Sequence, residues 1–148
     1  MREATPADLP TLLAFEQGVV ASERPYNEKL KHESVHYYDI AALIASPESM
    51  VLIAQDGAQL VGAGQTTLKS SLDYYEHDRH AYLGLMFVEP SHRGQGLIQR
   101  IIDELLIWAR QKGVHDFYLD VYAENESAVR AYEKFGFRGS LLEMKLSD

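Results

Sequence analysis

Apolar residues recur along the chain in two rhythms, and the points where each starts and stops outline the elements. Thr5-Pro6-Ala7-Asp8 places a capping residue before a proline at the first helical position, with an acid three residues on. A helix is predicted from Pro6 to Gly18, with Leu9, Leu12, Leu13, Ala14 and Phe15 as its stripe. Ala21 to Leu30, which includes Arg24-Pro25-Tyr26-Asn27, keeps no period and reads as a loop with a short helical piece. The helical rhythm returns from Ser34 to Ala45 and stops at Ser46-Pro47, because a residue before proline avoids helical angles. Met50 to Ala54 and Gln59 to Leu68 read as two strands joined by an Asp56-Gly57 turn, an antiparallel pair.

Ser70 to Arg79 is polar and reads as a connecting loop, followed by a buried strand from His80 to Val88 that Pro90 stops. Gly94-Gln95-Gly96 opens a helix in which Leu97, Ile98, Ile101, Ile102, Leu105, Leu106 and Trp108 form a broad apolar face, and Gly113 caps its end. His115 to Tyr122 is rich in strand formers, Asn125 to Lys134 is helical, Gly136 breaks the chain, and Phe137 to Leu146 suits a final strand. The order predicts an α/β fold: a mixed, mostly antiparallel central sheet with helices on both faces, one domain across residues 1–148.

Composition narrows the function classes. A content of 46% hydrophobic residues in 148 is enough for one core. The net charge of −8 repels nucleic acid and anionic membranes, so neither is an expected partner. No run approaches the ~20 apolar residues of a membrane span. Arg2, Glu3 and Asp8 interrupt the start before a signal peptide develops, and the expected compartment is the cytoplasm. The absence of cysteine excludes disulfides, thiolate metal sites and a cysteine nucleophile. His32-Glu33-Ser34-Val35-His36 fits the H-E-x-x-H pattern of zinc hydrolases, in which two imidazoles one helical turn apart hold the metal. Its polar flanks, Lys29, Lys31 and Ser34, suit a solvated helix face better, and no metal is expected.

The chemistry concentrates where a strand end, a glycine-bearing turn and a helix start coincide, at Val88-Glu89-Pro90-Ser91-His92-Arg93-Gly94-Gln95-Gly96-Leu97-Ile98. Amides at a helix N-terminus point outward with the positive end of the helix dipole, glycines let a diphosphate approach, and Arg93 adds a full charge. No Gly-Lys-Ser/Thr follows, and the third glycine of a dinucleotide fingerprint is missing.

Arg93-Gly94-Gln95-Gly96 after a strand ending Val88-Glu89-Pro90, together with Asn125, Ala128, Tyr132 and Phe135-Gly136-Phe137, resembles the GNAT superfamily of N-acetyltransferases over residues 80 to 138. The resemblance implies acetyl transfer from acetyl-CoA to a primary amine of a small molecule or peptide. It places pantetheine against Met86, Phe87 and Val88, in a gap between the strands at Leu83 to Val88 and Phe117 to Tyr122, with Asn125 touching the same arm. Pyrophosphate is placed on Arg93, Gly94, Gln95, Gly96, Leu97 and Ile98, and Tyr132 at the thioester sulfur as the catalytic donor. Ile98 stands where the family has Gly or Ala, so its side chain must turn toward the sheet or crowd the pyrophosphate. Acceptor contacts are expected from Glu16, Glu23, Arg24 and Tyr26, and the pairs Tyr37-Tyr38 and Tyr74-Tyr75 can edge that pocket. Where the family often carries a strand carboxylate, this chain has Gly84 and Leu85, which leaves Glu16, Glu23, His80 and Asp120 as candidate bases. A non-catalytic acyl-CoA sensor is the alternative reading, and exposed edge strands are compatible with a homodimer.

Overall fold

A computed structural model describes all residues from Met1 to Asp148. Five strands, β1 (Arg2–Glu3), β2 (Ser49–Asp56), β3 (Gln59–Ser70), β4 (Arg79–Val88) and β5 (Phe117–Leu119), form one sheet in sequence order. Neighbours are antiparallel except β4 and β5, which run parallel. The helices are α1 (Leu9–Glu23), α2 (Ile40–Ala45), α3 (Leu97–Gln111) and α4 (Glu126–Phe135). Alternation along β2 divides the core, as a pleated strand requires. Val51 and Ile53 join Leu12, Phe15 and Ile40 beneath α1 and α2, whereas Leu52 and Ala54 join Ile101, Ile102, Leu105 and Leu106 beneath α3.

Close approach of α3 to the sheet depends on a missing side chain. A Cβ at Gly64 would stand 2.5 Å from Ile101 Cγ2 and 2.9 Å from Met86 Sδ. Gly64→Ala is expected to destabilise the fold by about 1–3 kcal/mol through overpacking. Urea denaturation should show a lower midpoint at unchanged slope.

Four boundaries depart from the sequence reading, each for a tertiary reason. The first helix begins with a 3-10 turn at Pro6–Asp8 and runs past Gly18 to Glu23. Gly18 is retained in its interior because the Phe87 ring packs there, 2.5 Å from where a Cβ would lie. The helix expected over Ser34 to Ala45 is confined to Ile40–Ala45, opened by Asp39 accepting from the Ala42 amide. Upstream of it, the amides of Tyr37 and Tyr38 donate instead to Glu16, at 3.0 and 2.9 Å. His32, Glu33 and His36 lie outside any helix, so neither a zinc-type helical face nor the expected solvated one forms there. The strand expected over His115 to Tyr122 shortens to Phe117–Leu119, and Phe137 to Leu146 forms no strand within this chain. The two-residue β1 carried no apolar period to reveal it.

One irregularity shapes the middle of the sheet. The register between β3 and β4 shifts between Ala63 and Gln65, whose partners are Phe87 and Gly84. Two residues of β4, Leu85 and Met86, thus face the single residue Gly64, and Leu85 takes φ +51°. A bulge of this kind reverses the alternation. Leu83 packs beneath α3, while Leu85, two positions on, packs beneath α1.

Candidate active site

The parallel pairing of β4 with β5 covers only Ala81 with Phe117, Tyr82 with Tyr118 and Leu83 with Leu119. Beyond Leu83, β4 continues to Val88 with no partner on that side, so the sheet opens into a cleft. The edge so exposed includes Met86, Phe87 and Val88.

Past Val88 the chain makes a 3-10 turn at Pro90–His92 and enters α3 through Gly94 at φ +76° and Gly96 at φ +75°. This left-handed pair turns the chain sharply into the helix. None of the amides from Gly94 to Gln99 donates to an acceptor within the protein, and Arg100 is the first that does, to the Gly96 carbonyl. Successive free amides at a helix N-terminus form an anion-binding concavity. The Arg93 Nε donates to the Val88 carbonyl at 2.9 Å and its guanidinium lies 5.9 Å from the Phe87 ring, so its remaining donors are held beside that concavity. The Ile98 side chain packs on the α3 core with Met86 and Leu97, which is the sheet-facing orientation that sequence required.

Between α3, α4 and β4 lies a mostly apolar cavity of about 180 Å³, lined by Met86, Ile98, Gln99, Ile102, Ala128, Ala131 and Tyr132. The Tyr132 phenol is pushed up to about 12, first by burial and then by the charge of Glu23. It stays protonated at neutral pH. Asn125 caps α4 by accepting from the Ala128 amide at 3.4 Å, which leaves its amide NH2 group available.

On the α1 side Tyr37 and Tyr38 pack edge-on, with ring centroids 6.2 Å apart. Burial raises Glu23 above the usual carboxylate range. Burial is also the first cause that raises Tyr37, Tyr38 and Tyr82, with the charge of Glu23 a smaller one. Tyr82 donates to Asp120 at 2.9 Å, at the end of β5 where the cleft begins. The Tyr37 hydroxyl is buried with no hydrogen-bond partner. A buried polar atom left unpaired is costly, and this one marks a place where a ligand can supply the missing bond. Tyr38 occupies the space beside Gly84: a Cβ there would overlap its hydroxyl, which also accepts from the Leu85 amide at 3.3 Å. The space beside Gly84 is thus filled by a phenol reaching in from outside the sheet.

The remaining expected acceptor residues divide. Glu16 is fully buried and consumed by His36 Nδ1 at 2.8 Å and by the Tyr37 and Tyr38 amides; it anchors the tyrosine loop and reaches no acceptor. Arg24 donates to the Lys31 and Glu33 carbonyls at 2.6 and 3.1 Å, so it too holds a loop in place. Tyr26 stacks on Tyr122 at 6.2 Å, and Asn27 donates to the Tyr122 hydroxyl, closing one wall. Of the candidate bases, His80 belongs to a separate cluster with Ser71, His77 and Tyr118. Asp120 stays at the end of β5 where the cleft begins, held by Tyr82, and Glu23 ends α1 half-buried. Tyr74 and Tyr75 pack at a tilt on each other in the exposed loop between β3 and β4. Sequence reasoning missed Tyr82 and Tyr122, because nothing in a strand or loop tyrosine marks it as facing a cleft.

Comparison with known proteins fits this geometry. The profile described as the acetyltransferase (GNAT) family matches residues 16–137, and the chain belongs to that family. N-alpha-acetyltransferase RimI of Mycobacterium tuberculosis is 30% identical over 95 residues, which is 64% of this chain and 56% of that protein. The chain thus spans little more than half of that relative's length. Among solved structures, the tetramutant of the BH1408 protein of Bacillus halodurans superposes with a TM-score of 0.86 at 22% identity, covering 99% of this chain and 97% of the other. A predicted acetyltransferase with acetyl-CoA from Clostridium acetobutylicum superposes at 0.76 and 19% identity, covering 99% and 94%. At these identities the structural likeness establishes the fold.

Proposed function

We propose that this protein transfers an acetyl group from acetyl-CoA to a primary amine of a cationic small molecule or peptide, by direct attack in a ternary complex. The observation that carries this reading is the run of free amides from Gly94 to Gln99 at the start of α3, beside a cavity lined by Met86, Gln99 and Tyr132. Acetyl-CoA supplies the reactive thioester. Its diphosphate suits the amides and Arg93, and its pantetheine amides suit the unpaired edge of Met86, Phe87 and Val88, in the way a peptide adds to a sheet edge. The free NH2 group of Asn125 offers a further donor to that arm.

An amine of pKa ~10.4 is mostly protonated at pH 7, and releasing that proton costs about 4.6 kcal/mol. Glu23 is the group assigned to accept it. Burial raises its basicity, and a half-buried carboxylate draws an ammonium in before the proton leaves. Asp120, tied to Tyr82, adds negative charge on the opposite wall, so cationic acceptors are favoured. The Tyr132 phenol, at about 12, lies well above an ordinary thiol at ~8.5, so full proton transfer to a departing thiolate is uphill. Tyr132 therefore acts by hydrogen-bond donation, which lowers the energy of the thiolate as it forms.

The test is thiol release from acetyl-CoA across a panel of amines. Saturable release with a polyamine or other amino compound, and little with neutral amines of equal size, is expected. Saturable acetyl-CoA binding with no acceptor-dependent release would favour a sensor, and no binding by calorimetry would overturn the reading altogether.

A further inference from the structure

The closed end of the cleft holds a hydroxyl whose proton is unused. Ala81, on β4, donates its amide to the Asp116 carbonyl just ahead of β5. Amides two residues apart along a strand point to the same side, so those of Leu83 and Leu85 are directed toward β5 as well. The pairing with β5 ends at Leu83, and the Leu85 amide, next in line, donates to the Tyr38 hydroxyl at 3.3 Å. That places the phenol oxygen in the fork where the two strands part. It reaches there because Gly84 has no side chain: a Cβ would stand 2.3 Å from the oxygen. Gln65, 1% exposed on β3, brings its Nε2 within 2.8 Å of the same point, and Thr67 fixes that amide by donating to Oε1 at 3.1 Å. The Tyr38 hydroxyl makes one hydrogen bond, as acceptor, and keeps its own proton to give.

We propose that Tyr38 is a catalytic residue of this transferase, donating a hydrogen bond to the carbonyl oxygen of the acyl thioester. The assignment rests on the acetyl-CoA reading above, which sets the direction in which the coenzyme runs. With its diphosphate on the amides of Gly94 to Gln99 and its pantetheine along Val88, Phe87 and Met86, the coenzyme reaches Leu85 and Gly84 next. Its acyl group then falls in the fork. As the amine nitrogen attacks, a C–N bond forms and the carbonyl π pair moves onto oxygen, where it meets the Tyr38 O–H. The Leu85 amide behind that hydroxyl polarises it, so each bond of the chain strengthens the next. When the pair returns, the C–S bond breaks, sulfur leaves with its electrons toward Tyr132, and the amine proton passes to the base assigned above. The two phenols thus serve different atoms, oxygen and sulfur. Burial raises Tyr38 above the usual phenol range, so the proton it shares is in place at neutral pH.

Tyr38→Phe keeps the ring beside Tyr37 and removes only the hydroxyl. It is expected to lower kcat about 100-fold while acetyl-CoA affinity by calorimetry stays within about threefold. Isotope-edited infrared spectroscopy of acetyl-CoA labelled at the acyl carbon reads the bond itself, which a hydroxyl that merely packs would not move. Bound to the wild-type protein, the C=O stretch should lie below that of free acetyl-CoA; bound to Tyr38→Phe, it should return toward the free value. A shift that persists in the variant would overturn the proposal by assigning the bond to the Leu85 amide. A variant with wild-type kcat would overturn it too. Both results leave the acetyl-CoA reading standing, whereas a wild-type protein that binds no acetyl-CoA overturns that reading and this proposal together.

Discussion

Glu23→Gln is expected to lower kcat/KM for the amine by about 10²- to 10³-fold, the usual range for loss of a general base, while acetyl-CoA affinity stays within twofold. The amide keeps the size of the carboxylate at the end of α1, so the packing there should persist. The pH profile separates a base from a merely structural residue. A base must be unprotonated to work, so activity falls as pH drops through its pKa. Because burial raises Glu23, that acid limb should lie above the ~4.3 of an ordinary glutamate. In Glu23→Gln the limb should vanish. If it remains, and Asp120→Asn removes it instead, the base is on the other wall.

Tyr132→Phe is expected to reduce kcat by about 100-fold, comparable with removing one donor from an oxyanion site. The ring would still pack against Phe137 and line the cavity beside Met86, so acetyl-CoA binding and thermal stability should change little. Equal losses in kcat and in kcat/KM would identify an interaction made only in the transition state. With the phenol at about 12, wild-type activity should show no alkaline limb from Tyr132 below pH ~11. A variant with normal kcat and weak acetyl-CoA binding would assign Tyr132 to packing alone.

The cofactor half of the cleft was readable from the chain because its signals are local. Gly94 and Gly96 mark left-handed positions, the stripe from Leu97 to Leu106 marks a helix lying on a sheet, and Asn125 and Gly136 bracket α4. The acceptor half was not, because it is built by contacts between distant segments. Glu16 reads as an acceptor contact and candidate base until the amides of Tyr37 and Tyr38, more than twenty positions away, are seen to converge on it. Those bonds also explain why the helical rhythm before Ile40 was overruled. Glu23 belongs to α1 only because the helix runs past Gly18, whose missing side chain leaves room for the Phe87 ring. The strand expected over Phe137 to Leu146 rested on alternation alone, and the residues past Phe137 form no helix or strand in the structure.

The extra residue in β4 carries a consequence for how this sheet tolerates insertions and deletions. Since Leu83 and Leu85 face opposite layers, the segment from Gly84 to Met86 works as a phase shifter between two halves of one strand. Excising Leu85 would straighten the ladder against β3, leaving Met86 opposite Gly64 and Phe87 opposite Ala63. Met86 would keep its place in the cavity beside Tyr132, and Phe87 its groove at Gly18, so the cost would fall on the layer beneath α1. A more regular sheet would then be one with a hole where Leu85 now packs, and the irregularity is the means by which one strand fills both layers.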